Sequence, residues 1–445
     1  MQIPKEAELA LYTLQSRGHT AFVVGGCVRD SLLGRTPNDW DVTTSALPEE
    51  VADCFRNFRV IETGLQHGTL TVLVNGTPIE ITTFRNDGIY LDHRHPVGVT
   101  FSNTVEDDLA RRDFTVNAMA YHPERGLVDL FGGREDLKNR VIRCVGDPVT
   151  RFREDGLRIL RAIRFASVLG FSLDEKTKAA VRSEKSLLEF IAPERIREEF
   201  CKLLCGVNAE NVIREYVDVI GQFLPELLAC RGFEQNTKYH CYDVLEHTLC
   251  ALSHASNNLF VRLAVLLHDI GKPLCYTEDE NGGHFKGHGP VGTAMTEQIL
   301  RRLRFDNRTV EIVSRLVERH DRITPAEEKA VKRLMQKMSD QEILWLLEVQ
   351  RCDRLAHAKG FDEPPASLDE VPRLMERIHA SNACLSLKTL AVRGDDLLHL
   401  GIPEGKSIGD ALAHLLDAVI EGRLPNEREA LLSAIQKEKF REDHR

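Results

Sequence analysis

The chain has 445 residues, 42% hydrophobic and 28% charged, with a formal net charge of −10. That length exceeds one compact core and leaves room for three or four domains, and the acidic balance argues against indiscriminate binding to polyanions. No stretch approaches the uninterrupted apolar length of a membrane span, and Met1-Gln2-Ile3-Pro4-Lys5-Glu6 lacks the basic-then-apolar form of a signal peptide. A cytoplasmic protein without a membrane partner is expected. The eleven cysteines include no Cys-x-x-Cys pair and sit among apolar residues, as reduced core fillers would.

In chain order, residues 1–20 read as a short helix that leads into a strand. Ala21-Phe22-Val23-Val24 followed by Gly25-Gly26 and a helically spaced run reads as strand, tight turn and helix. Two glycines let a ligand approach the backbone, and free amides at the helix start suit phosphate, with Arg29 one turn along as a charged fork. After Gly34 and Pro37, the run from Asp39 to Thr43 reads as a second strand. Asp39 and Asp41, two apart, then share a face, and paired carboxylates there suit a pair of divalent cations, Mg²⁺ being the natural choice beside phosphate.

A helix is expected from about Pro48 to Phe55, then strands over 67–74 and 79–84 joined by the turn Asn75-Gly76. Together these give a small mixed sheet with helices on one side, and Glu80 is either a third acid beside the pair or an edge residue. Residues 84–100 lack apolar periodicity and read as a mobile loop. The run from Arg111 to Ala120 starts polar and becomes helical and apolar. In it Arg112 can reach phosphate oxygens and Asp113 or Asn117 a ribose hydroxyl; a simple ion pair at a helix start is the alternative. Lys138 to Arg164 holds eight basic residues against three acidic ones, a local excess that could meet a phosphate-bearing partner.

One helix is expected from about Pro148 to Leu169, with Glu154, Asp155 and Arg158 on one face. A carboxylate that accepts beside a guanidinium that donates complements cytosine and adenine and opposes uracil and guanine. The alternative is an intrahelical salt bridge.

Five stretches together resemble the ordered motifs of the class II tRNA nucleotidyltransferases, the CCA-adding enzymes of bacteria and eukaryotes. They are Gly25-Gly26-Cys27-Val28-Arg29-Asp30, Asp39-Trp40-Asp41, the run 111–118, the run 154–165, and Pro193-Glu194-Arg195-Ile196-Arg197-Glu198-Glu199. The resemblance implies an α+β protein with a small polymerase-β-like mixed-sheet head followed by an all-α neck, body and tail in a seahorse outline. It implies catalytic Asp39 and Asp41 holding Mg²⁺, and a nucleotide site made of Gly25, Gly26, Arg29, Arg112, Asp113, Asn117, Glu154, Asp155, Arg158 and Arg161. Glu194 and Arg195 would stabilise the neck turn. CTP and ATP would be the substrates and tRNA the acceptor, with the loop at 84–100 serving the switch from C to A. Bacterial poly(A) polymerases share the class and are the alternative. The expected boundaries are 1–140 for the head, 141–210 for the neck, 211–358 for the body and 359–445 for the tail.

The body carries His247, His268-Asp269 and Asp353, four mixed nitrogen and oxygen ligands for a divalent metal. This set resembles the HD phosphohydrolase superfamily, and His288 and His320 match the additional histidines of members that hold two metals, with Mg, Mn, Ni, Co or Fe as candidates. A phosphodiesterase or phosphatase activity on cyclic or terminal phosphates is implied, and a protein that is chiefly such a hydrolase is a further alternative. Guanosine-tetraphosphate synthase/hydrolases pair similar activities in the opposite order. Lys359-Gly360 and Pro364-Pro365 mark a linker, and residues 392–409 read as a helix, a Gly-bounded turn and another helix, where Gly405 and Lys406 could hold a tRNA phosphate. Monomer and homodimer are both compatible with the sequence.

Overall fold

The computed structural model describes residues 1–65, 68–87, 99–280 and 282–442. The chain divides into two compact units, Met1–Ala229 with Arg301–Phe305, and Cys230–Leu300 with Asp306–Arg445.

In the first unit, helix α1 (Lys5–Ser16) precedes β1 (Ala21–Val24), α2 (Gly26–Leu32), β2 (Asp41–Thr44) and α3 (Pro48–Cys54). Then come β3 (Arg59–Gly64), β4 (Thr69–Val74), β5 (Thr77–Thr83), β6 (Arg85–Asp87), β7 (Val99–Phe101), α4 (Val105–Ala110), β8 (Met119–His122) and β9 (Gly126–Asp129). Seven strands form one mixed sheet in the order β3-β4-β5-β2-β1-β8-β9, with β2 and β5 the parallel pair. Asn75 and Gly76 take the left-handed conformation that a two-residue hairpin needs, and they join β4 to β5 in the register Val74–Thr77. Alternation along the strands separates two faces. Val23, Val42, Leu70, Val72, Ile79 and Ile81 are buried on one, where α1 contributes Ala7, Ala10, Leu11 and Leu14 at helical spacing. On the other, Phe22, Val24 and Ala120 pack with Val105 and Leu109 of α4, and Asp41 and Glu80 stand directly opposite one another across the parallel pair.

Three expectations are corrected here. The apolar run ending at Ala120 continues as strand β8 after a short 3₁₀ turn over Thr115–Asn117, because β1 and β9 flank it and take up its backbone groups. The second strand starts at Asp41, so Asp39 lies just before it. The strand β3 at the sheet edge was not foreseen. Of the expected loop, residues 88–98 lie outside the described residues, and its two ends pair as β6 and β7.

The unit continues with α5 (Gly133–Asn139), β10 (Val141–Ile142), α6 (Pro148–Glu154), α7 (Leu157–Leu169), β11 (Ser172–Leu173), α8 (Glu175–Ser183), α9 (Pro193–Leu204) and α10 (Ala209–Glu215). The single helix expected over 148–169 is therefore two. Asp155 is extended, with φ −137° and ψ 106°, and at Gly156 an added Cβ would stand 3.0 Å from the Leu187 carbonyl, so the chain packs tightly where the two helices meet.

The second unit is helical apart from a short antiparallel pair, Thr277–Asp279 with Gly282–His284, so the body expected to be all-α carries one small hairpin. The unit is built from α11 (Val244–Ser253), α12 (Leu259–Leu267), α13 (Lys272–Cys275), α14 (His288–Arg302), α15 (Asn307–Arg319), α16 (Glu328–Lys337), α17 (Asp340–Leu355) and α18 (Ser367–Ala380). A separate apolar cluster, including Val392, Leu397, Leu415 and Leu431, is the core of α19 (Gly394–His399), α20 (Lys406–Ile420) and α21 (Arg428–Glu442). The eleven cysteines are free, and Cys241 is exposed rather than a core filler.

Candidate active site and metal centre

Gly25 ends β1 with φ +80°, and a Cβ there would stand 2.9 Å from Arg112 Nη1, so glycine both makes the turn and admits the guanidinium. Arg112 is held from α4 by Asp108, a fully buried carboxylate 3.1 Å from its Nη2 that also takes Arg111 at 2.6 Å and the Thr43 hydroxyl at 3.1 Å. Asp108 carried no motif signal; the cue was its spacing three and four residues before two arginines.

Burial pushes Asp41 up to about 6, with repulsion from Asp39 and Glu80 adding and Arg112 opposing. Asp41 faces Glu80 across the parallel pair and is repelled by Asp39, and carboxylate oxygens so placed fit hard divalent cations, whose charge would join that of Arg112 in offsetting the repulsion.

Several expected nucleotide residues are tied to one another. Arg29 gives Nε and Nη2 to Asp30 at 2.8 and 2.9 Å and Nη1 to Asn117 Oδ1 at 2.7 Å. Asn117 in turn donates to Asp113 at 3.3 Å. Burial works to raise Asp113, yet the Arg161 fork at 2.6 and 2.8 Å holds its carboxyl down to about 2. Glu199 of α9 joins Arg164 at 2.8 Å and lies 3.7 Å from Arg161, which links the sheet unit's motif to the helices after it.

Arg112, Asp113, Asp155, Arg158 and Arg161 line one cavity of about 270 Å³, together with Arg111, Leu157 and Arg195. Asp155 and Arg158 share this cavity without pairing. Asp155 accepts from Arg195 Nη2 at 3.1 Å and from the Leu157 amide at 3.0 Å, while Arg158 donates to Glu154 at 2.6 Å and to the Arg111 carbonyl at 3.3 Å. The expected intrahelical triad is corrected to Glu154–Arg158 across the helix break, with Asp155 anchored from α9. The basic excess of 138–164 is largely neutralised within the fold, since Arg143 meets Asp136 and Asp174, and Arg153 meets Glu184.

In the second unit His247 comes from α11, His268 and Asp269 from the end of α12, His288 from α14, His320 from the end of α15, and Asp353 from α17. His247, His268 and Asp353 form one possible ligand triplet, and Asp269, His288 and His320 another. Nδ1 of each histidine faces a backbone carbonyl: Ala356 at 3.2 Å, Val265 at 2.7 Å, Phe285 at 2.9 Å and Val317 at 2.7 Å. A carbonyl only accepts, so Nδ1 carries the proton and Nε2 presents its lone pair inward. Nε2 of His247 lies 2.9 Å from Asp353 and Nε2 of His268 3.1 Å from Asp269. His268 Nε2 is buried without an aligned hydrogen-bond partner, which is what a metal would satisfy. The ligand set therefore fits divalent metal.

Without regard to metal, burial favours neutral His268, but Asp269 and Asp353 hold it protonated up to about 10. Lys272 Nζ stands 2.6 Å from Asp269. The cluster opens into a cavity of about 750 Å³ whose walls include Lys238, Tyr239, His240, Lys286 and His357, none of which the sequence singled out. Burial drives His240 down to about 2, and its ring lies 4.7 Å from that of His247.

Residues 21–143 match the family described as the poly A polymerase head domain, 170–230 a probable RNA-binding site of polymerase A, and 291–435 a putative second domain of tRNA nucleotidyltransferases. The chain is 35% identical over 437 residues to the CCA-adding enzyme of Lactobacillus helveticus, covering 97% of this chain and 95% of that one. It is 34% identical over 443 residues to that of Bacillus cereus strain 03BB102, covering 98% and 99%. Among solved structures, the Bacillus stearothermophilus CCA-adding enzyme in complex with CTP superposes over the full length of both chains with a TM-score of 0.76 at 30% identity. Matched by such relatives along nearly its whole length, the chain belongs to the CCA-adding enzymes, a family of nucleotidyltransferases.

Proposed function

We infer that this chain adds C, C and A in turn to the 3′ end of tRNA from CTP and ATP, in the cytosol, as a monomer or homodimer. The observation that carries the site assignment is the register that sets Asp41 opposite Glu80, with Asp39 two residues before it and Arg112 against the Gly25 turn. Asp39 and Asp41 would hold Mg²⁺, which when bound supplies charge neutralisation at the phosphates and lowers the pKa of the attacking hydroxyl. Arg112, positioned by Asp108, faces the triphosphate across Gly25, and the amides that open α2 receive phosphate oxygens. Asp155 has a lone pair left on each oxygen for a base amino group, and Arg158 is fixed by Glu154 to donate to the adjacent ring nitrogen. The pair accepts cytosine and adenine and leaves uracil and guanine with donor against donor. In this reading the chain is organised as head 1–140, neck 141–210, body 211–358 and tail 359–445, with Gly405 and Lys406 at the start of α20 meeting a tRNA phosphate.

The inward Nε2 atoms of four histidines favour a second reading for the other unit, an HD-type phosphohydrolase centre. Mg, Mn, Ni, Co or Fe would be held by the two triplets and would supply an activated water. Lys238 and Lys286 on the cavity wall would neutralise a cyclic or terminal phosphate. The test incubates the protein with Mg²⁺ and tRNA ending at the discriminator base, with CTP and ATP singly and together, and sequences the 3′ ends. Addition that stops at CCA supports the reading, a long A tail moves the chain to the poly(A) polymerases, and no addition leaves the histidine centre as the main activity.

A further inference from the structure

The turn that leaves α15 separates two cavities. His320 and Asp321 line the one holding the metal-ligand cluster, whereas Arg319 and Arg322 face a second cavity of about 450 Å³ that belongs to neither site above. Its other cations are Lys329, Arg333 and Lys337, its one acidic wall residue is Glu327, and its apolar lining includes Ile323 and Leu334. Lys329, at 3.5 Å, and Arg333 both pair with Glu421 at the C-terminal end of α20. Arg319, Arg322 and Lys337 meet no carboxylate among the described residues. Two carboxylates against five cations leave an excess of three positive charges in one concavity, even though the whole chain carries −10.

Concave walls focus such a field, and guanidinium forks match phosphate oxygens. The volume lies within the roughly 300–1,000 Å³ of small-ligand sites. An RNA backbone presents single charges spread along a strand; cations gathered round one hollow match several charges on one compact ligand. We propose that this cavity binds a polyphosphate anion of the size of a nucleotide triphosphate, at a site separate from both metal centres. It rests on neither proposed reaction, since Asp41 and His268 contribute nothing to its walls.

The site has a mechanical connection to the cluster. Gln350 of α17 donates to the carbonyls of Arg319 and Arg322 at 3.1 and 3.0 Å, clamping the turn one helical turn before Asp353. An anion held by Arg319 and Arg322 therefore steadies the segment that presents His320.

The test is amide hydrogen exchange on the full chain in EDTA, with inorganic tripolyphosphate as probe and ATP, orthophosphate and a short single-stranded RNA in parallel. Tripolyphosphate and ATP are expected to slow exchange several-fold across 319–337, and the exposed charge-reversal double variant R322E/K337E, verified as folded by its circular dichroism, is expected to lose that slowing. The proposal is overturned by no slowing at millimolar tripolyphosphate, by slowing that survives the charge reversal, by a full effect from orthophosphate alone, or by a response to RNA without one to tripolyphosphate.

Discussion

The two sites solve the same problem, bringing acidic groups together, in opposite ways. In the first unit Asp41 is forced beside Asp39 and Glu80 on a half-open sheet face, and burial and repulsion leave it reluctant to ionise. In the second, Asp269 and Asp353 are buried among histidines that hold both carboxyls well below the usual range against the cost of burial. The first arrangement is completed by what binds; the second is already compensated by its own protons. In the neighbouring cavity of the first unit compensation comes from arginines, one each for Asp113, Asp155 and Glu154.

The sharpest way to break this comparison is to cross the two sites by mutation. Asp41→Ala should lower nucleotide addition by about three orders of magnitude, the loss of several kcal/mol of metal-borne charge stabilisation, while metal uptake by the histidine cluster stays unchanged. His268→Ala should do the reverse, as read by primer extension and by metal analysis of the purified proteins. Addition that survives in the Asp41 variant would sink the catalytic assignment. Next in size is base choice. Asp155→Ala should cost roughly 1–3 kcal/mol of discrimination, about 5- to 150-fold, in CTP over UTP incorporation; unchanged selectivity would move base reading elsewhere. Gly25→Ala places a Cβ 2.9 Å from Arg112 Nη1 at φ +80°, so strain of about 1–2 kcal/mol should weaken CTP binding roughly tenfold, and binding at the wild-type level would detach Arg112 from the triphosphate.

The smallest effects concern protons. His268 is raised, so its favourable charge is complete below pH 6.5 and fades as pH rises through about 10. Metal loading at pH 7.5 must displace that proton, and calorimetry in buffers of different ionisation enthalpy should count about one proton released per cluster. Asp41 is also raised, and the sign is the same: stability falls as pH climbs from the ordinary 3.8 through about 6, because the fold disfavours the ionised carboxylate, and a bound divalent ion offsets that cost. The gain in melting temperature from Mg²⁺ should thus be larger at pH 7.5 than at 5.5. Equal gains would place the ion away from Asp41.

What was readable in the sequence was chemistry carried by neighbours along the chain. Gly25-Gly26, the Asp39 and Asp41 pair, and His268-Asp269 each announce themselves within a few residues. Glu80 was weighed against an edge position because its role depends on register, which only the parallel pairing of β2 with β5 fixes. The run 111–120 reads as helical because Val116, Ala118 and Met119 suit a helix, and the flanking strands decide for a strand from Met119 onward. The partners of Asp155 and Asp113 lie 40 and 48 residues away, beyond any local pattern. His240, Tyr239 and His357 gave no signal because a cavity wall is assembled from loops without a common spacing.

The four backbone carbonyls that fix the histidine tautomers carry one more consequence. A ligand set oriented in advance would lose little conformational entropy on taking up a metal, and first-row divalent ions would rank there in the Irving–Williams order as far as the fixed geometry suits each of them. For ions that suit it alike, the proposed centre would be filled by whichever the surroundings supply, and preparations of the same chain from iron-rich, nickel-rich and manganese-rich media should differ in metal content while sharing one fold.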